Sequence, residues 1–171
     1  MSLVLSGDTG VQNNSGAFVA GTAVASTSGT SIDFTSIPSW VKRITVMFKG
    51  VSTNGSSNPL IQIGSGSVTT TGYIASAALP NNGGTTAGTT YTTGFGIPFS
   101  SATNTLYGTM TICLFGSNLY VSSHCIATST VGAASVGGGS ITLSGTLDRV
   151  RITTVNGTDT FDAGSINILY E

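Results

Sequence analysis

Val41-Lys42-Arg43-Ile44-Thr45-Val46-Met47-Phe48-Lys49-Gly50-Val51 reads as one half-buried β-strand. Ile44, Val46 and Phe48 fall on one side of it, and Arg43, Thr45 and Lys49 on the other. Successive side chains of a strand point to opposite faces, so this period of two separates a core face from a solvent face. The same alternation recurs along the chain. Residues 105–115 place Leu106, Met110, Ile112 and Leu114 on one face. Residues 119–127 follow the turn signal Gly116-Ser117-Asn118, and the two segments read as a hairpin. Residues 60–63 and 73–79 are shorter strands, the second closed by Pro80-Asn81-Asn82-Gly83-Gly84.

Residues 147–155 place Val150 and Ile152 inward and Arg149 and Arg151 outward. Asn156-Gly157 follows. This is the strongest short hairpin signal, because both central residues of a type I′ turn need positive φ. The returning strand puts Ile166, Ile168 and Tyr170 on one face, and Gly164 marks a bulge. Residues 85–93 and 131–140 are low in complexity and read as loops, with Gly137-Gly138-Gly139-Ser140 as a flexible turn. Asp33 is placed in a loop before Ile37-Pro38. No ten residues combine a 3.6 period with helix formers. The expected fold is all-β, an antiparallel β-sandwich of jelly-roll type. Residues 1–16 are polar and turn-rich and form an N-terminal arm; residues 17–171 form a single domain.

Charge narrows the function classes. Of 171 residues only 6% are charged, with five Lys and Arg against six Asp and Glu. About 25% is usual. No charged residue lies between Lys49 and Asp148. A nucleic-acid binder needs a basic stripe, which this chain lacks. No apolar run approaches the length of a membrane-spanning helix. No secretory leader is expected, since Met1-Ser2-Leu3 has no basic start and no long apolar core. Neutral Ser/Thr/Gly surfaces tend to associate. The 24 glycines weaken an isolated fold, at about 0.5–1 kcal/mol for each one inside a strand. Both features point to a homo-oligomer whose contacts offset that cost. Ordering the arm costs about 1–2 kcal/mol per residue, which a neighbouring chain repays. Leu3, Val4 and Leu5 are therefore the candidate assembly contacts.

Catalytic patterns are weak. His124 is the single histidine, no Gly-x-Ser-x-Gly elbow accompanies the many hydroxyls, and a strand histidine is the expected role. Asp159 and Asp162 read as turn-capping carboxylates rather than calcium ligands. A hairpin turn centred on Ser117 pairs residues whose numbers sum to about 234, which separates Cys113 from Cys125 and leaves free thiols. Two cysteines and one histidine do not complete a zinc site. No catalytic residue, metal or cofactor is expected. Tyr91, Phe95 and Phe99 lie in a Gly/Thr-rich stretch. They are the candidate glycan contacts, with core or interface packing as the competing role.

Two blocks carry a family likeness. They are Thr35-Ser36-Ile37-Pro38-Ser39-Trp40 running on through Phe48, with Asn58-Pro59-Leu60-Ile61-Gln62-Ile63-Gly64, and Leu147-Asp148-Arg149-Val150-Arg151-Ile152 running on through Ile168. The chain resembles small tail-fibre-like structural proteins of tailed bacteriophages over most of residues 30–171. The resemblance implies a non-enzymatic virion component, β-rich and trimeric, with other virion proteins as partners. It supplies no catalytic residue. The expected role is a tail-fibre or receptor-binding component that touches a host surface glycan. The alternative is a capsid decoration protein clamping neighbouring capsomers. A glycan depolymerase ranks third.

Overall fold

The structure is a computed structural model that describes residues 18–80, 88–98, 101–129 and 132–171, and the backbone of 5–6 and 10–11. Strands β1 (Leu5–Ser6) and β2 (Gly10–Val11) pair with each other. Strands β3 (Val19–Ala20), β4 (Val24–Ala25) and β5 (Ile32–Phe34) lead to the eleven-residue β6 (Arg43–Thr53). Next come β7 (Pro59–Ser65), β8 (Ser67–Val68), β9 (Ile74–Ala78), β10 (Gly88–Tyr91) and β11 (Phe95–Gly96). Three long strands follow: β12 (Leu106–Gly116), β13 (Leu119–Thr128) and β14 (Ala133–Thr142). The chain closes with β15 (Arg149–Thr154) and β16 (Phe161–Tyr170).

These strands form an antiparallel β-sandwich. The larger sheet has nine strands in the order β10-β9-β14-β13-β12-β6-β16-β3, with β4 also on β16. The smaller has five, β11-β7-β15-β5, with β8 on β7. Val46, Phe48, Met110, Ile112 and Ile166 of the larger sheet share one core with Ile61, Ile63, Val150 and Ile152 of the smaller. The alternation expected on β6 holds, since Ile44, Val46 and Phe48 are buried while Arg43 and Lys49 are exposed. Burying such side chains stabilises by about 1.5–3 kcal/mol each.

The β12–β13 hairpin has the expected centre. Ser117 and Asn118 both have positive φ, 49° and 61°, and Cys113 lies opposite Val121. Gly164 sits at the expected bulge with φ of 89°, within the second of two successive register shifts against β6. A Cβ there would fall 2.3 Å from the Gly50 carbonyl oxygen, so both chain direction and space demand glycine.

Four local expectations are corrected. Residues 133–140, expected within a loop, belong to β14, and Gly137-Gly138-Gly139 lie inside that strand. A Cβ on Gly137 would come 2.5 Å from Ala77 Cβ and 2.8 Å from His124 Cε1, and one on Gly139 would come 2.5 Å from Ala75 Cβ. The glycines thus serve close packing between β13 and β9. Residues 88–91, also expected in a loop, are β10, while 85–87 lie outside the described residues. Asn156-Gly157 makes a turn but not a hairpin, because β15 and β16 enter different sheets. Only Gly157 has positive φ, 68°, so the two-residue type I′ geometry is absent and the chain swings across the sandwich. Val150, Ile152, Ile166 and Ile168 are nevertheless all buried. Asp33 is on β5, where its carboxylate accepts two hydrogen bonds from Arg151 of the neighbouring strand.

Candidate assembly surface

Tyr91 and Phe95 do not present rings for a glycan. They are 5% and 2% exposed. The chain passes from β10 of the larger sheet to β11 of the smaller between them, and both rings plug that crossing. Tyr91 packs with Leu60 and Ala77, and Asn58 Nδ2 donates to its hydroxyl at 2.8 Å. Burial pushes the Tyr91 hydroxyl up from its ordinary pKa. Phe95 meets Tyr73 edge to face, centroids 5.1 Å apart. Phe99, Leu3 and Val4 lie outside the described residues, and of Leu5 the backbone in β1 is described.

His124 is a buried strand residue. Its Nε2 lies 2.8 Å from Ser135 Oγ, and burial lowers its pKa to about 4. Ser135 is fully buried, so substrate has no path to its hydroxyl. Asp159 accepts from Ser57 N at 3.0 Å and Asn156 Nδ2 at 2.6 Å, the expected turn-capping role. Asp162 accepts from Ser52 Oγ. Cys113 and Cys125 are free thiols. Cys125 lies opposite Thr109, four residues along β12 from Cys113, which is about 13 Å at strand rise. Among the described residues no cluster of His, Cys, Asp or Glu is placed to hold a metal.

The outstanding surface is the outer face of the larger sheet. Its registers build rows across five strands. One row is Met47, Thr109, Cys125, Val136 and Ala78; the next is Thr45, Thr111, Ser123, Gly138 and Ser76. A third runs Arg43, Cys113, Val121, Ser140 and Ile74. Arg43 and Lys49, both on β6, supply the charge at its border; β12, β13, β14 and β9 carry none. Ile74 is 78% exposed, and Tyr107, Val121 and Val136 are also exposed. At about 4.8 Å per strand, five strands span about 19 Å. Thr, Ser, Gly and Ala lie between these apolar side chains, so the face is neutral and mixed in polarity rather than continuously apolar. The charge-free stretch was visible in the sequence; that period two would gather its outward residues on one face depended on the β9–β14–β13 register.

No family model matches the chain, and no curated protein matches it. Among solved structures, a chain from the structure of infectious bursal disease virus, Gx strain, aligns at 12% identity over 99% of this chain and 44% of that one, with a TM-score of 0.13. This chain therefore spans less than half of that chain's length. Agreement at that level carries no argument about fold or role.

Proposed function

We propose that this protein is a non-enzymatic structural subunit of a tailed-phage particle, a tail-fibre or receptor-binding component that works as a homo-oligomer, with a trimer the expected form. The observation that carries the reading is the outer face of β9, β12, β13 and β14 in the larger sheet, four strands without a charged residue. Leaving Ile74, Val121 and Val136 in water forgoes burial worth about 25 cal/mol per Å². A neutral partner surface recovers it without stranding a charge. The family resemblance of residues 30–171 supplies the particle. Two measurements test the reading. Solution mass should be a multiple of 17.1 kDa, three being expected; a folded monomer at micromolar concentration sinks the oligomer. Immuno-electron microscopy of particles should label the tail, and absence of label from particles sinks the virion assignment.

One observation favours decoration of the head as a second reading. Among the described residues β1 and β2 pair with each other and with neither sheet of the sandwich, as a separate clamping arm would. Label over the head rather than the tail selects it.

A further inference from the structure

The smaller sheet carries a different kind of surface. On its outer side is a cleft of about 360 Å³, within the range of small-ligand sites. Gln62 and Thr153 project outward from β7 and β15 into its lining, and both are more than nine-tenths buried. Arg151 lies directly across from Gln62. Thr70 and Thr93 add hydroxyls, and Leu60 contributes an apolar patch.

The hydrogen bonds fix what these groups offer. Gln62 Nε2 donates to Thr93 O at 2.8 Å, which holds the amide and leaves its Oε1 as an acceptor without a partner among the described residues. Arg151 donates from Nε and Nη2 to Asp33 at 2.7 and 2.8 Å. Its remaining nitrogen is a donor without a partner among the described residues, and Asp33 cancels its charge. The lining thus sets a rigid acceptor beside a rigid donor, with hydroxyls around them and no net charge. An anion gains little here because Asp33 already pairs the guanidinium. An apolar ligand would strand Gln62 Oε1, at a cost of about 1–3 kcal/mol. Adjacent hydroxyls, each both donor and acceptor, satisfy the pair.

We infer that this cleft is a binding site for a neutral saccharide unit, one that places neighbouring hydroxyls against Gln62 and Arg151. The inference deepens the receptor-binding reading and rests on it for the source of the sugar, a host surface glycan. It moves the contact from the buried rings of Tyr91 and Phe95 to the polar cleft lined by Gln62 and Arg151.

The test is saturation-transfer NMR and calorimetry on the purified full chain. The probes are glucose, galactose, mannose and N-acetylglucosamine, with glycerol and N-acetylneuraminic acid as controls. At least one neutral sugar should bind saturably while both controls do not. Gln62→Leu should weaken that binding roughly tenfold. Thr70→Phe, at an exposed position on the rim, should block it with the melting temperature unchanged. No saturable binding by any neutral sugar overturns the inference. So does binding that survives both substitutions, or binding matched by glycerol or by the anionic sugar. These readouts use purified protein, so they stand apart from the particle labelling that tests where the chain resides.

Discussion

The two outer faces of the sandwich are made from the same period-two rule and end with opposite chemistry. The larger sheet turns outward Thr, Ser, Ala, Val and Ile from β9, β12, β13 and β14, with no charge. The smaller turns outward Arg149 and Arg151, paired with Asp148 and Asp33, and the buried amide of Gln62. A flat neutral face is matched by another neutral face. A recessed face with fixed donors and acceptors is matched by a small polar ligand. The difference teaches that alternation decides which residues leave the core, while composition decides what the exposed set can bind.

The comparison breaks most sharply if a charge is placed on the larger sheet. Val121→Glu should dissociate the proposed oligomer to 17.1 kDa, read by light scattering, with circular dichroism unchanged. An unpaired charge buried in an interface costs several kcal/mol, of the order of 2–5. The matching change on the other side, Ser31→Glu at the rim of the cleft, should leave the mass as it was. Equal effects from the two would remove the distinction between the faces.

Next in size is the support under the neutral face. Gly137→Val should destabilise by about 3 kcal/mol or more, because its Cβ would lie 2.7 Å from Ser76 O, and backbone cannot step aside. Chemical denaturation measures this. A loss under about 1 kcal/mol would mean that β14 has room to shift, and that its glycines do not set the spacing of the face.

This strand also shows where the sequence stopped being readable. β6, β12 and β13 announce themselves because large apolar residues alternate with polar ones. β14 has no such signal over Gly137-Gly138-Gly139, and what selects glycine there is the approach of Ala75, Ala77 and His124 from other strands. Asn156-Gly157 is a comparable case. Two residues specify a turn, but the sheet that receives the next strand depends on β6, more than a hundred residues earlier. Tyr91 and Phe95 sit among Gly and Thr, a neighbourhood typical of loops, yet the crossing between sheets buries them. The neutral face was half legible: its lack of charge is in the composition, its continuity is in the register.

A smaller effect sharpens the comparison through pH. His124 lies on the inner side of the neutral sheet, and burial lowers its pKa from 6.5 to about 4. The unfolded chain therefore binds the proton more readily than the folded one. Stability is full above pH 6.5 and falls as pH drops toward 4. The loss reaches up to about 3 kcal/mol. Asp148, held below the usual carboxylate range by Arg149, adds its own loss only at lower pH. His124→Gln should flatten denaturation midpoints across that window. An unchanged slope would assign the pH response to other groups.

The smallest effect belongs to the ion pairs of the smaller sheet. Arg151 and Asp33 meet in a two-pronged contact at 2.7 and 2.8 Å, and their side chains are 38% and 36% exposed. Water screens a pair that open, so its contribution to folding is about 1 kcal/mol or less. Asp33→Asn should therefore shift the denaturation midpoint slightly and leave the proposed oligomer intact. Its larger consequence falls on the cleft. Without the carboxylate the guanidinium loses its counter-charge and is free to turn, so the lining becomes positive. Neutral sugar should then bind more weakly, and N-acetylneuraminic acid, which the native cleft is expected to reject, should begin to bind. Calorimetry with both sugars reads this reversal. If Asp33→Asn leaves both affinities where they were, the pair serves only the β5–β15 junction, and the neutrality of the cleft does not depend on it.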